Sequence, residues 1–76
     1  MTRIFKSEKG ELKIETAATP NAGAGRTVHG SMSSRRAGED RWAVRDGKYF
    51  GTETDACEWL EKFVTTATTN NMIEVL

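Results

Sequence analysis

The residue types that most often carry catalysis or bind metals are scarce in this 76-residue chain, which contains one histidine, His29, and one cysteine, Cys57. A Cys/His metal site needs three or four such ligands, and a Ser-His-Asp site would depend on His29 alone. We therefore expect a protein that is not an enzyme and needs no cofactor or metal. His29 is then a half-exposed strand residue and Cys57 a packed thiol beside a helix.

The charged residues are more informative, although eleven Lys/Arg and eleven Asp/Glu cancel to a net charge of zero. Residues 1–48 contain ten of the basic and six of the acidic side chains, whereas residues 49–76 contain one and five. Such polarity is typical of a protein that presents a basic face to phosphates or to an acidic partner. A chance division of surface charge produces the same pattern, and both interpretations stay open.

A tight hairpin would position the central basic residues. Two β-rich runs, 42–45 and 48–50, flank Asp46-Gly47, a dipeptide whose tolerance of positive φ suits a two-residue type I′ turn. In that hairpin Arg45 stands directly opposite Lys48 on one sheet face, where like charges repel unless a negative group offsets them. The repulsion points to this hairpin as the place where the protein binds something.

The predicted binding surface is a cationic patch on the sheet face away from the helix, with Phe50 or Tyr49 nearby. Acidic neighbours at Glu39, Asp40 and Asp46 could neutralise it locally, or a bulged turn could shift the register, and these alternatives stay open. The predicted binding residues are Arg35, Arg36, Arg41, Arg45, Lys48 and Phe50.

An amphipathic helix follows the hairpin and is predicted to begin at about Glu53, because Thr52 can accept a hydrogen bond from the backbone N–H of Asp55. Asp55 and Glu58 are then explained by their place near a helix N-terminus. The apolar residues recur at helical spacing and form one stripe that must be buried: Ala56, Trp59, Leu60, Phe63 and Val64.

The remaining runs complete a single α+β domain over residues 1–76, with an antiparallel sheet of about five or six strands, order ββββαβ, and one helix on one face. No apolar run has the length of a signal peptide or a membrane span, so we expect a cytoplasmic protein. The first two strands, residues 2–6 and 12–16, are predicted to form a hairpin around a turn with Gly10 at positive φ, followed by a loop at 17–25 and a third strand at 27–33. Residues 65–71 are poor helix formers and are predicted to end the helix. A terminal strand at 72–76 is predicted to lie beside the first hairpin.

Three short motifs, Arg41-Trp42, Phe50-Gly51-Thr52 and Asp55-Ala56, come before the aromatic residues of the predicted helix. Together they resemble the end of the plant ethylene-response-factor DNA-binding domain and of related phage integrase arm-binding domains. In that family a three-stranded sheet backed by a helix lays Arg and Trp side chains into the major groove. The resemblance covers residues 41–63, and it implies DNA binding with Arg41, Trp42 and Arg45 as contact residues.

The overall build resembles that of small phage and mobile-element proteins that disable host nucleic-acid-targeting machinery, anti-CRISPR proteins among them, although that group shares no motif. We therefore expect an inhibitor or accessory protein that docks on a host protein or nucleoprotein complex in the host cytoplasm. The alternative is direct DNA binding by the sheet. A third hypothesis is a structural or toxin-antitoxin-like oligomer, and a homodimer is possible in any of these cases.

Overall fold

The computed structural model describes residues 1–19, 23 and 25–75, so the predicted 17–25 loop lies partly outside the described residues. The described residues form one antiparallel sheet in the strand order β4-β3-β2-β1-β5, with the helix packed on one face. This confirms the predicted α+β class and the order ββββαβ. The elements are β1 (Thr2–Ser7), β2 (Gly10–Ala18), β3 (Val28–Arg36), β4 (Ala43–Phe50), α1 (Glu53–Thr69) and β5 (Ile73–Val75).

The first hairpin joins β1 to β2 as predicted, but Gly10 has a different role there. Ser7 pairs with Gly10, so the turn consists of two residues, and Gly10 already belongs to β2. Its φ is not positive, which corrects the prediction. A Cβ at this position would lie 2.3 Å from the carbonyl oxygen of Arg35, so glycine permits the close approach of β3 to β2.

The predicted hairpin at Asp46-Gly47 is wrong, because these two residues lie inside a continuous β4 that pairs with β3 along its length. A turn there would leave strands of only three or four residues. The nine-residue β3 instead offers a long ladder of backbone partners to one strand. Gly47 suits the strand for another reason: a Cβ there would lie 3.0 Å from Nε2 of His29 on the neighbouring strand.

The register of β4 shifts once, at a β-bulge. Met32 pairs with Asp46 and Ser33 with Val44, so Arg45 is the extra residue of β4. Arg45 and Lys48 therefore lie on the same strand. The prediction that they stand opposite each other on paired strands is wrong. A bulge redirects the side chain of its extra residue, and it also makes an edge strand harder to extend.

The helix begins where it was predicted, and its N-cap is the predicted one: the side chain of Thr52 accepts a hydrogen bond from the N–H of Asp55 at 3.1 Å. It continues through residues 65–69, which were expected to wind it down. Burial of Ala67 holds this last part, and three threonine hydroxyls bond the carbonyl oxygens four residues earlier. The helix ends before Asn71, whose φ is 59°.

The core lies between α1 and the sheet. Leu60 and Ile14 are its largest fully buried side chains, and Phe5 is buried beside them. The aromatic residues of the helix, Trp59 and Phe63, are only partly buried at its margin. The predicted helical stripe is therefore confirmed as the face that packs on the sheet.

β5 returns beside β1, as predicted, with three residue pairs. A bidentate ion pair reinforces this short strand, because Arg3 donates from Nε and Nη2 to the two oxygens of Glu74 at 2.9 and 2.8 Å. These hydrogen bonds from Arg3 lower the pKa of the Glu74 carboxyl below its ordinary value of 4.5. The edge of the sheet is thus held by a charged side-chain pair as well as by its ladder.

We expect Leu60→Ala to destabilise the protein by about 2–5 kcal/mol, because it removes a fully buried side chain and leaves a cavity. Val44→Ala is the control, since Val44 is 70% exposed and its truncation should change stability by no more than about 0.5 kcal/mol. Urea unfolding followed by circular dichroism measures both. Equal effects of the two substitutions would contradict the assigned core.

The Arg3–Glu74 pair predicts a specific pH dependence. Because the pKa of Glu74 is lowered in the folded protein, the pair stabilises the fold above pH 4.5 and this contribution is lost as the pH falls through the folded pKa. The difference in unfolding free energy between wild type and Glu74→Gln should therefore shrink on acidification. Urea titrations at low ionic strength across this range test it, and a difference independent of pH would show that the pair does not act this way.

Candidate functional site

The structure does not bring the six predicted binding residues to one face. Gly30 of β3 faces α1, because a Cβ there would lie 3.7 Å from Ala56 Cβ and from Leu60 Cδ1. Side chains alternate along a strand, so Arg36 lies on the helix side of β3 and Arg35 on the open face. The two neighbouring arginines therefore belong to different surfaces.

Arg35 is held by the protein itself. Its Nη2 donates to both carboxylate oxygens of Glu11 at 3.2 Å, and its Nη1 donates to the carbonyl oxygen of Asp40 at 3.2 Å. The guanidinium carbon lies 4.3 Å from the centre of the Trp42 ring, and Nε is buried without an acceptor among the described residues. These contacts give Arg35 a structural role, and Glu11, rather than the predicted acidic neighbours, neutralises it.

The open face around Trp42 is polar but largely neutralised. Lys13 Nζ lies 4.7 Å from the centre of the Trp42 ring and 3.7 Å from a carboxylate oxygen of Glu15. Trp42 thus contacts two cations, each of which also has a carboxylate partner. Arg41 precedes it in the connection between β3 and β4 and is exposed.

Phe50 and Lys48 lie on the helix side of the sheet, which corrects their predicted place on the open face. The Phe50 ring packs against Trp59 with 5.6 Å between ring centres, and Lys48 Nζ lies 5.7 Å from the centre of the Phe50 ring. Phe50 therefore belongs to the packing between helix and sheet. The reason is the absence of the predicted turn, since a continuous β4 sets which residues face α1.

Arg36 and Arg45 are brought together, at the end of the sheet beside the C-terminus of α1. Both line a groove of about 800 Å³, together with Lys6 and Lys9, which the sequence did not single out. Arg45 Nε donates to the side-chain oxygen of Ser34 at 2.8 Å, which fixes the redirected side chain. We call Lys6, Lys9, Arg36 and Arg45 the groove cations.

The groove carries a surplus of positive charge. Its lining holds five Lys/Arg against two carboxylates, Glu8 and Glu11, and Glu11 is already paired with Arg35. Within the described part of the chain none of the four groove cations forms an ion pair. The groove can therefore accept an anionic group without first breaking an internal pair.

The end of α1 does not need these cations as caps. Backbone N–H groups of Asn70, Asn71 and Met72 already donate to carbonyl oxygens of the last helical turn at 3.0 Å each. The amide side chain of Asn70 donates to the carbonyl oxygen of Thr66 as well. The groove cations thus remain exposed and available to a partner.

Comparison with known proteins finds no matching family model, no matching curated protein and no matching solved structure. Among residues 1–19, 23 and 25–75, no group of three or more His, Cys, Asp or Glu side chains could hold a metal ion. Nor does that part of the chain contain a helix with the length and apolar character needed to cross a membrane.

The neighbouring arginines provide a matched test of these assignments. We expect Arg35→Met to lower the unfolding free energy by roughly 1–2 kcal/mol, because it removes charged hydrogen bonds and the contact with Trp42. Arg36→Met should change it by less than about 0.5 kcal/mol, since Arg36 is exposed. Equilibrium unfolding in urea measures both, and equal losses would contradict the distinction between the half-buried, hydrogen-bonded Arg35 and the exposed Arg36.

Proposed function

We propose that this protein is a small non-enzymatic binding protein that docks on an acidic surface of a host nucleic-acid-targeting complex and inhibits it, as an anti-CRISPR-like protein of a phage or mobile element acting in the host cytoplasm. The observation that carries the proposal is the groove at the end of the sheet. It presents four cations that have no carboxylate partner among the described residues.

Charge complementarity between two surfaces accelerates encounter and selects the docked orientation. Lys6, Arg36 and Arg45 project from the ends of strands or from the bulge, and Lys9 projects from the two-residue turn between β1 and β2. The sheet therefore limits the relative positions of the groove cations. A concave surface suits a protruding acidic segment of a partner. Glu8 in the lining favours a partner surface that also carries a cation, whereas Glu11 is already paired with Arg35.

A second candidate function is DNA binding by the open face of the sheet, and one observation favours it. Trp42 lies there in contact with Lys13 and Arg35, and the exposed Arg41 adjoins it. Two of the three contact residues implied by the resemblance to the ethylene-response-factor domain are therefore near that face. The third, Arg45, lies in the groove instead.

The main proposal is tested by the double variant Arg36→Glu/Arg45→Glu. We expect it to lose inhibition of target-DNA cleavage by guide-loaded effector complexes roughly tenfold or more, because two attractive charges become repulsive. The control is Arg26→Glu/Lys48→Glu, which makes the same change in net charge at exposed positions outside the groove lining. Inhibition that survives in the groove variant, or is lost equally in the control, would contradict the proposed surface.

Titrating the protein with duplex DNA at two salt concentrations distinguishes DNA binding by the open face from the main proposal. DNA binding by the open face would be supported by a high affinity that decreases steeply as the salt concentration rises and that is also lowered by Arg41→Glu. If the wild type inhibits no effector complex in a panel and DNA binding has these properties, the main proposal is wrong and the alternative stands.

A further inference from the structure

The two edges of the sheet differ in how well they are protected against pairing with another strand. β4 carries a bulge at Arg45 and charged side chains at Asp46 and Lys48, features that discourage extension of an edge. β5 has no bulge in its pairing with β1, and its side chains Ile73 and Val75 are 75% and 51% exposed. Apart from its short length and Glu74, whose carboxylate is paired with Arg3, the β5 edge carries no such protection in the described sheet.

The two exposed apolar side chains of β5 adjoin the half-buried Ile4 of β1. Val75 pairs with Ile4 and Ile73 pairs with Lys6, whereas the intervening Glu74 pairs with Phe5 of the core. Alternation therefore places Ile4, Ile73 and Val75 together on the open face. A sheet edge with exposed β-branched residues is a usual site for the addition of another strand.

We propose that the β5 edge pairs with β5 of a second copy of this chain, antiparallel, around a two-fold axis at Glu74. An antiparallel two-fold pairing matches residues whose numbers have a constant sum, so centring on Glu74 keeps all three residues of β5 paired. Ile73 then stands opposite Val75 of the second copy, and the same contact occurs again across the axis. The two five-stranded sheets then form one ten-stranded sheet, with both open faces on one side of it and both helices on the opposite side.

The charges at the axis favour this register. The two Glu74 carboxylates approach each other there, and each already accepts two hydrogen bonds from Arg3. The axis therefore holds two guanidinium groups and two carboxylates, so that it is neutral and each Arg3 can also attract Glu74 of the second copy. A Glu74 without Arg3 would instead repel its symmetry mate.

The modest size of the core supports a second copy of this chain as the partner that covers the β5 edge. Five hydrophobic residues are buried in the described part of the chain, and two of them are alanines, Ala56 and Ala67. β5 itself has three residue pairs with β1, which is its one hydrogen-bonded neighbour in the described sheet. Pairing buries the apolar group of both copies and completes the ladder of β5, which stabilises the fold in a concentration-dependent manner.

Sedimentation velocity of the full chain over a series from micromolar to millimolar concentration tests the proposal. We expect the wild type to pass from monomer to dimer, and Ile73→Lys/Val75→Lys to remain monomeric throughout with an unchanged circular dichroism spectrum, because both side chains are already exposed. The control is Val44→Lys/Tyr49→Lys, which alters exposed apolar residues of β4 and should leave the dimer intact.

Hydrogen exchange provides a second readout, since the β5 amides should become more protected as the concentration rises. A wild type that is monomeric at millimolar concentration overturns the proposal and leaves the edge for a strand of another protein. A dimer that persists in the β5 variant, or disappears in the β4 control, also overturns it and assigns association to a different surface.

Discussion

The contact on which the rest of the structure depends is the packing of α1 against β3 at Gly30. Leu60 and Ala56 are fully buried there, and the missing side chain of Gly30 lets the helix approach the strand. One helix can cover only one face of a five-stranded sheet. The contact therefore sets which side of every strand becomes core and which side must face water or a partner.

This division explains the distribution of the basic residues. On β3 it separates Arg35, which stacks on Trp42 and pairs with Glu11, from Arg36, which lines the groove and forms no ion pair with another described residue. On β4 the bulge turns Arg45 to the helix side, where Ser34 holds it. A cationic surface thus arises at the end of the sheet, from residues that belong to four different elements or turns.

Local patterns predicted a large part of the fold. The alternation of Leu12 and Ile14, the cap at Thr52 and the helical stripe around Leu60 each depend on neighbours within a few residues, and each is confirmed. The wrong prediction of a turn at Asp46-Gly47 also came from a local pattern. The dipeptide has the local preference for a turn, but a long ladder with β3 outweighs that preference, and only the partner strand reveals it.

The sequence by itself therefore determined the class of fold, the order of its elements, the buried face of the helix and the excess of basic residues before Tyr49. The tertiary structure decided which of those residues meet. Lys6 and Lys9 join Arg36 and Arg45 because strand register and one bulge bring them together across long stretches of chain. Register changes the face of every side chain with a shift of one residue, and short-range preferences do not specify it.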